Sequence, residues 1–136
     1  MWSNRGGAMT SGIFDSSILI DCLRGRADAV AFLAAQSAAG HPRTHLLVAA
    51  ELLTGARDKN EQVLIDSFLR SFDLAIPTEA DGLSALDLYR QYRLSHGVDW
   101  PDCQIAATAL RLGIEVFTQN VKHFTAFSGL GVGRAY

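Results

Sequence analysis

Short apolar runs alternate with stretches of helical period along most of the chain, and this alternation limits the fold more than any other feature. Gly12-Ile13-Phe14 leads into Asp15-Ser16-Ser17, the pattern of a buried strand that ends where a helix starts. The Ala-rich stretch from Ala29 to Ala39 predicts a helix closed by Gly40 and Pro42. Thr44 to Val48 reads as a second short strand, running into a helix that carries Glu51 and ends near Gly55. Ile65, Phe68, Leu69 and Phe72 fall at i, i+3, i+4 and i+7, one face of a helix. Leu74-Ala75-Ile76 before Pro77 predicts a brief strand, and Ala85, Leu88, Tyr89 and Tyr92 repeat the helical spacing up to Gly97. Pro101 opens and Gly113 closes a further helix, and Ile114 to Thr118 is the last predicted strand. Strands separated by helices pair in parallel, because parallel neighbours need crossovers that cover the sheet. The expected fold class is therefore α/β, a three-layer α/β/α sandwich around a central parallel sheet.

The length of 136 residues, 49% of them hydrophobic, suits one domain with a full core. Residues 13–136 are read as that domain, and residues 1–12, polar and Gly-rich, as a flexible N-terminal extension. No apolar run approaches the ~18–20 residues that span a bilayer, and Met1 to Gly12 has no apolar signal core. The expected setting is cytoplasmic, away from membranes. Cys22 and Cys103 form no CxxC pair and are read as reduced, small hydrophobes. With 12 Lys+Arg against 14 Asp+Glu, the net charge is −2, the wrong sign for gripping nucleic acid by charge alone. Composition by itself assigns no function.

In sheets of this kind, ligands bind beyond the carboxyl ends of the strands, near the switch in strand order. Asp15, Glu51, Asp102, Thr118 and Asn120 all map to that edge. Each acid has an ordinary reading. Asp15 and Asp102 suit helix caps, Asp99 a preceding cap, and Glu51 a solvated helix position. Asp21 suits solvent or an i, i+3 pair with Arg24. Gathered at one site, however, carboxylates repel one another and need a compensating charge. A hard divalent cation supplies it, lowers the pKa of a water, orients in-line attack and neutralises a phosphate. That is phosphodiester chemistry, with a metal meeting the scissile phosphate where other proteins use lysines. The histidines offer no zinc site, since Pro42 breaks the helix that would align His41 with His45, and His96 beside Gly97 suits a helix C-terminus.

Four segments carry a family resemblance. Phe14-Asp15-Ser16-Ser17-Ile18-Leu19-Ile20-Asp21 resembles the opening motif of VapC-type PIN domains, and Ala50-Glu51-Leu52-Leu53-Thr54-Gly55-Ala56 their second. Pro101-Asp102-Cys103-Gln104-Ile105-Ala106-Ala107-Thr108-Ala109 is similar to the third, and Thr118-Gln119-Asn120-Val121-Lys122-His123-Phe124 to the closing one. All four stand in order from about Ile13 to Phe124. The resemblance implies a Rossmann-like PIN fold and a Mg²⁺- or Mn²⁺-dependent endoribonuclease, the toxin of a toxin–antitoxin pair. It implies metal-site carboxylates at Asp15, Glu51 and Asp102, with Thr118, Asn120 and Ser16 as neutral polar supports. It also implies an RNA substrate, homodimers, and a VapB-like antitoxin that covers the site; the helical segment from Ala29 to Ile65 is its expected docking surface. Where many members of the family carry a fourth acid, this chain has His123.

Two other classes compete. A PIN domain that has lost catalysis would serve as an RNA- or protein-binding module, and loss of Asp15 or Asp102 would favour it; both acids are present. A haloacid-dehalogenase-like phosphatase wants a second Asp two residues after its nucleophile, where this chain has Ser17. A phosphotransfer receiver wants an acidic pair near its first strand, and none precedes Asp15.

Overall fold

In the computed structural model, residues 9–136 are described. The chain runs β1 (Met9–Phe14), α1 (Ser16–Leu23), α2 (Ala27–Ala39), β2 (His41–His45), α3 (Leu46–Thr54) and α4 (Lys59–Leu69). It continues through β3 (Asp73–Ala75), α5 (Glu79–His96), α6 (Trp100–Leu112), β4 (Glu115–Thr118), α7 (Val121–Phe124) and β5 (Val132–Arg134). The strands form one sheet in the order β3-β2-β1-β4-β5, and every pairing is parallel. From β1 the chain moves outward through β2 to β3, then crosses back to β4 and β5. By the right-handed rule for parallel crossovers, this order puts α1–α4 on one face and α5–α6 on the other. This is the expected three-layer α/β/α sandwich. No helix among the described residues is long and apolar enough to cross a membrane. The expected extension over 1–12 falls on residues 1–8, which lie outside the described residues, and on Met9 to Gly12, which belong to β1.

The second strand differs from its expected range. It covers His41–His45, and Leu46 to Val48 are helical. The cause is His45. Its ring Nδ1 accepts the Leu47 N–H at 3.0 Å, capping α3 and ending the strand. Pro42 has no N–H to donate, and the β1–β2 pairing is irregular where it sits. The helix α7 and the strand β5 carried no readable period in the sequence. β5 instead answers to Phe117, whose ring leaves no room for side chains on its neighbours. A Cβ on Gly12 would lie 2.7 Å from the Phe117 ring, and one on Gly133 3.2 Å from it.

Phe14 and Phe117 lie side by side on adjacent strands, ring centroids 5.2 Å apart, and both meet Phe32 of α2. Side chains alternate along a strand, so Ile13 and Val116 turn to the opposite face, where β4 packs on α6. The chain thus buries apolar residues on both sides of a short sheet, as parallel sheets require. Cys103 is buried and Cys22 half-buried, and both thiols are free.

A buried polar chain ties the helical layers together. Because His45 Nδ1 accepts a hydrogen bond, the ring proton sits on Nε2, which donates to Thr108 Oγ1 at 3.0 Å. The Thr108 hydroxyl lies 3.2 Å from Asp81 Oδ2, which it reaches as donor, and Arg111 Nε grips both Asp81 oxygens at 2.8 and 3.0 Å. Asp81 also closes the capping box of α5 with Thr78. Burial pushes the His45 ring down to about 4, against the pull of Asp81. Unfolded histidine titrates near 6.5, so the unfolded chain binds the extra proton first. His45 therefore contributes stability that is complete above about pH 6.5 and is lost as pH falls toward 4. One pKa unit is about 1.4 kcal/mol, so the loss approaches about 3 kcal/mol. Urea unfolding at pH 7, 6, 5 and 4.5 should show this slope in the wild type and a flatter one in His45→Gln. Equal slopes would contradict the assignment.

Candidate active site

β1 and β4 end beside each other at the switch in strand order. The Asp15 N–H donates to the Phe117 carbonyl at 2.9 Å and extends their pairing past the strand ends. Asp15, only 4% exposed, occupies the N-cap position of α1 but makes no side-chain capping bond. Its carboxylate is held from across the sheet. Thr118 Oγ1 donates to Oδ2 at 2.8 Å, and Ser17 Oγ to the same oxygen at 3.2 Å. Both hydroxyls are themselves fixed, Ser17 Oγ accepting the Gln119 N–H at 3.1 Å and Thr118 Oγ1 the Asn120 N–H at 2.9 Å. The capping reading of Asp15 fails on this geometry.

Asp102 lies in the first turn of α6 with its side chain 13% exposed. It does not cap the helix. The N-cap position belongs to Asp99, which also makes no side-chain capping bond. His123 Nδ1 sits 2.9 Å from Asp102 Oδ2, so His123 does not simply face solvent beside Lys122. Burial pushes the Asp102 carboxyl up to about 6; His123 pulls it down, while Asp15 and Asp99 push it further up. Asp99, Asp102 and His123 bring one ligand atom each within 4.8 Å of one another.

Glu51 projects from α3 with an exposed side chain. Partial burial and then the neighbouring Asp15 raise its pKa, opposed by a hydrogen bond from Ser16. Asp15 thus repels both Glu51 and Asp102, and the three carboxylates share one surface. No Lys or Arg bonds to any of them among the described residues. A set of hard oxygen donors that meets no Lys or Arg, with His123 as the one basic group bonded to it among the described residues, fits a divalent cation such as Mg²⁺.

The expected supports divide. Thr118 holds Asp15 directly, whereas Asn120 contributes its backbone N–H, with an exposed side chain that caps nothing. Ser16 is 3.5 Å from Asp15 Oδ1 and serves Glu51, so the stronger hydroxyl on Asp15 is that of Ser17. Its signal lay in the repeated serine after Asp15 at the start of α1. Asp99 was legible only as a cap beside the third motif, whereas His123 stood out within the closing motif without its bond to Asp102. Asp21 stands apart from the site and does not pair with Arg24. It accepts the Tyr136 hydroxyl at 2.6 Å and meets Arg26 at 3.5 Å.

Beside Glu51 a groove of about 470 Å³ opens between α1, α3 and α4, with Ile20, Leu23, Leu52 and Leu64 on its walls and Arg24 and Arg57 at its margin. α2, part of the expected docking segment, contributes none of this lining.

The PIN domain family model matches residues 13–129. Among characterised relatives, the chain is 35% identical over 120 residues to ribonuclease VapC19 of Mycobacterium tuberculosis, covering 87% of this chain and 95% of that one. It is 34% identical over 119 residues to ribonuclease VapC10 of the same organism, covering 87% and 89%. Among solved structures, a chain of a toxin–antitoxin complex from Klebsiella pneumoniae superposes with a TM-score of 0.77 at 26% identity, covering 93% and 98%. A chain of VapBC2 from Rickettsia felis, bound to a promoter DNA fragment, superposes at 0.78 with 18% identity and the same coverage. The carboxylate edge, the strand order and these matches agree, and the chain belongs to the PIN domain family.

Proposed function

We propose that this protein is a metal-dependent endoribonuclease, the toxin of a VapBC-type toxin–antitoxin pair. The observation that carries the reading is the surface shared by Asp15, Glu51 and Asp102, where Asp15 raises the proton affinity of the other two acids and His123 is the one basic group bonded to any of them among the described residues. The naming of its relatives as ribonucleases supports RNA as substrate. Asp15, Asp102 and Glu51 would hold Mg²⁺ or Mn²⁺. Such an ion, when bound, activates a water for attack and neutralises charge on the phosphate.

The chain's own residues prepare the site. Thr118 and Ser17 fix Asp15 through Oδ2, which leaves Oδ1 with only the long Ser16 approach. His123 fixes Asp102 through Oδ2, which leaves its Oδ1 for a ligand. Glu51, partly desolvated and repelled by Asp15, takes a proton more readily than a free glutamate and suits the role of proton acceptor. A binding module without catalysis would not need three mutually repelling acids.

An antitoxin partner fits the groove beside Glu51, whose apolar walls lead to an acidic end. A VapB-like segment would lay apolar side chains between α1, α3 and α4 and direct an Arg or Lys at the carboxylates. Homodimers and a cytoplasmic setting complete the proposal. The test is cleavage of structured RNAs by the purified protein with Mg²⁺, with Mn²⁺ and with EDTA. We expect cleavage with either metal and none with EDTA; activity that survives chelation sinks the mechanism.

A further inference from the structure

We propose that Trp100 is a nucleobase-stacking platform that seats an unpaired base of the RNA next to the cleaved linkage. The inference rests on the nuclease reading above and adds a substrate contact to it. Trp100 is the one exposed aromatic among the described residues; the phenylalanines and the other described aromatic rings are buried or half-buried. The residue is 38% exposed, enough to offer surface to a base. It opens α6 two residues before Asp102, on the rim of the carboxylate cluster. Residues two apart on a helix do not face each other, so Trp100 does not look into the cluster. It serves a neighbouring nucleotide, and the scissile phosphate is left to the acids.

The ring is also held in place. Tyr89 of α5 packs against it edge to face, with centroids 5.6 Å apart and planes at 72°. Arg93, exposed one turn further along α5, lies over Tyr89 at 6.0 Å. The rim therefore presents an indole backed by Tyr89, and Tyr89 in turn carries the exposed Arg93, a stacking surface with a cation in the same neighbourhood. Charge explains why the indole matters here. With a net charge of −2, the chain has little general attraction for a polyanion. Stacking does not depend on charge and tolerates any base, because every base has a π-face. A single-stranded segment is the chemistry this rim fits, since bases inside a duplex are not free to stack on a side chain.

The test compares wild type, Trp100→Phe and Trp100→Ala on a short single-stranded oligoribonucleotide. Binding is read by fluorescence anisotropy in EDTA, and cleavage by KM and kcat with Mn²⁺. We expect Trp100→Ala to weaken binding and raise KM by about 10-fold with kcat nearly unchanged, the pattern of a lost stack that acts equally before and during reaction. Trp100→Phe should recover most of the loss. A strand of the same length without bases should bind wild type and Trp100→Ala alike. Equal binding of the normal strand by wild type and Trp100→Ala overturns the proposal. So does an equal loss on the baseless strand, a fall in kcat at constant KM, or an altered oligomeric state, which would assign Trp100 to a contact between copies. The two readings fail separately. Trp100-dependent binding without any cleavage by wild type would refute the nuclease alone, and cleavage without Trp100 dependence would refute the platform alone.

Discussion

Asp102→Asn should abolish RNA cleavage and yet melt at a higher temperature than wild type. The first effect follows from removing a charged donor of the proposed metal site, a loss of at least about 10²–10³-fold in kcat, the scale of one electrostatic stabiliser. The second follows from the apo protein, where burial and then the acids Asp15 and Asp99 disfavour the ionised Asp102. For an acid whose folded pKa is raised, the cost is present above that pKa and disappears as pH falls through about 6 toward 4. Discounted for the solvent that reaches this edge, the gain is about 1 kcal/mol, or roughly 4 °C for a chain of this size. It should therefore be seen at pH 7.5 and vanish near pH 4. Asp15→Asn should be equally inactive but no more stable. Its carboxylate accepts bonds from Thr118 and Ser17 that an amide replaces only in part. A variant of either kind that cleaves RNA at the wild-type rate contradicts the site.

His123 should matter through Asp102. His123→Ala leaves Asp102 without its one side-chain partner, and loss of such a support typically weakens metal affinity or activity 10–100-fold. His123→Asp places a second carboxylate within reach of Asp102 and Asp99. It should lower metal-free stability and raise Mg²⁺ affinity, because Mg²⁺ prefers oxygen to imidazole. Calorimetric titration of the three proteins with Mg²⁺ and Mn²⁺ reads both effects. If neither variant changes binding of either metal, His123 is a bystander and the site is complete without it.

The layer order was readable because most helices and most strands carry their own period. β2 was the exception. Leu46-Leu47-Val48 has strand composition, but His45 caps the helix that claims it, and the true strand is the polar His41-Pro42-Arg43-Thr44-His45. A polar sequence in an inner strand gives no apolar signal, since Thr44 is buried by bonding the Phe14 carbonyl at 2.7 Å. β5 was hidden for a different reason, because its Gly133 answers to the Phe117 ring on the neighbouring strand β4 and not to a local rule. The principal acids were legible as motifs. What fixes them was not, because Thr118 lies 103 positions from Asp15 and His123 lies 21 from Asp102. Partners so distant in sequence meet only when the sheet brings the ends of β1 and β4 together. The chain His45–Thr108–Asp81–Arg111 stayed invisible for the same cause, each member being unremarkable alone.

The measurement that bears most directly on the metal-site account is anomalous diffraction from crystals soaked in Mn²⁺. The account predicts a strong peak within bonding distance of both Asp15 and Asp102, with Glu51 adjacent, and its absence from Asp102→Asn crystals grown and soaked in the same way. No peak at this cluster, or a peak held by Asp99 and His123 with Asp15 out of reach, would contradict it.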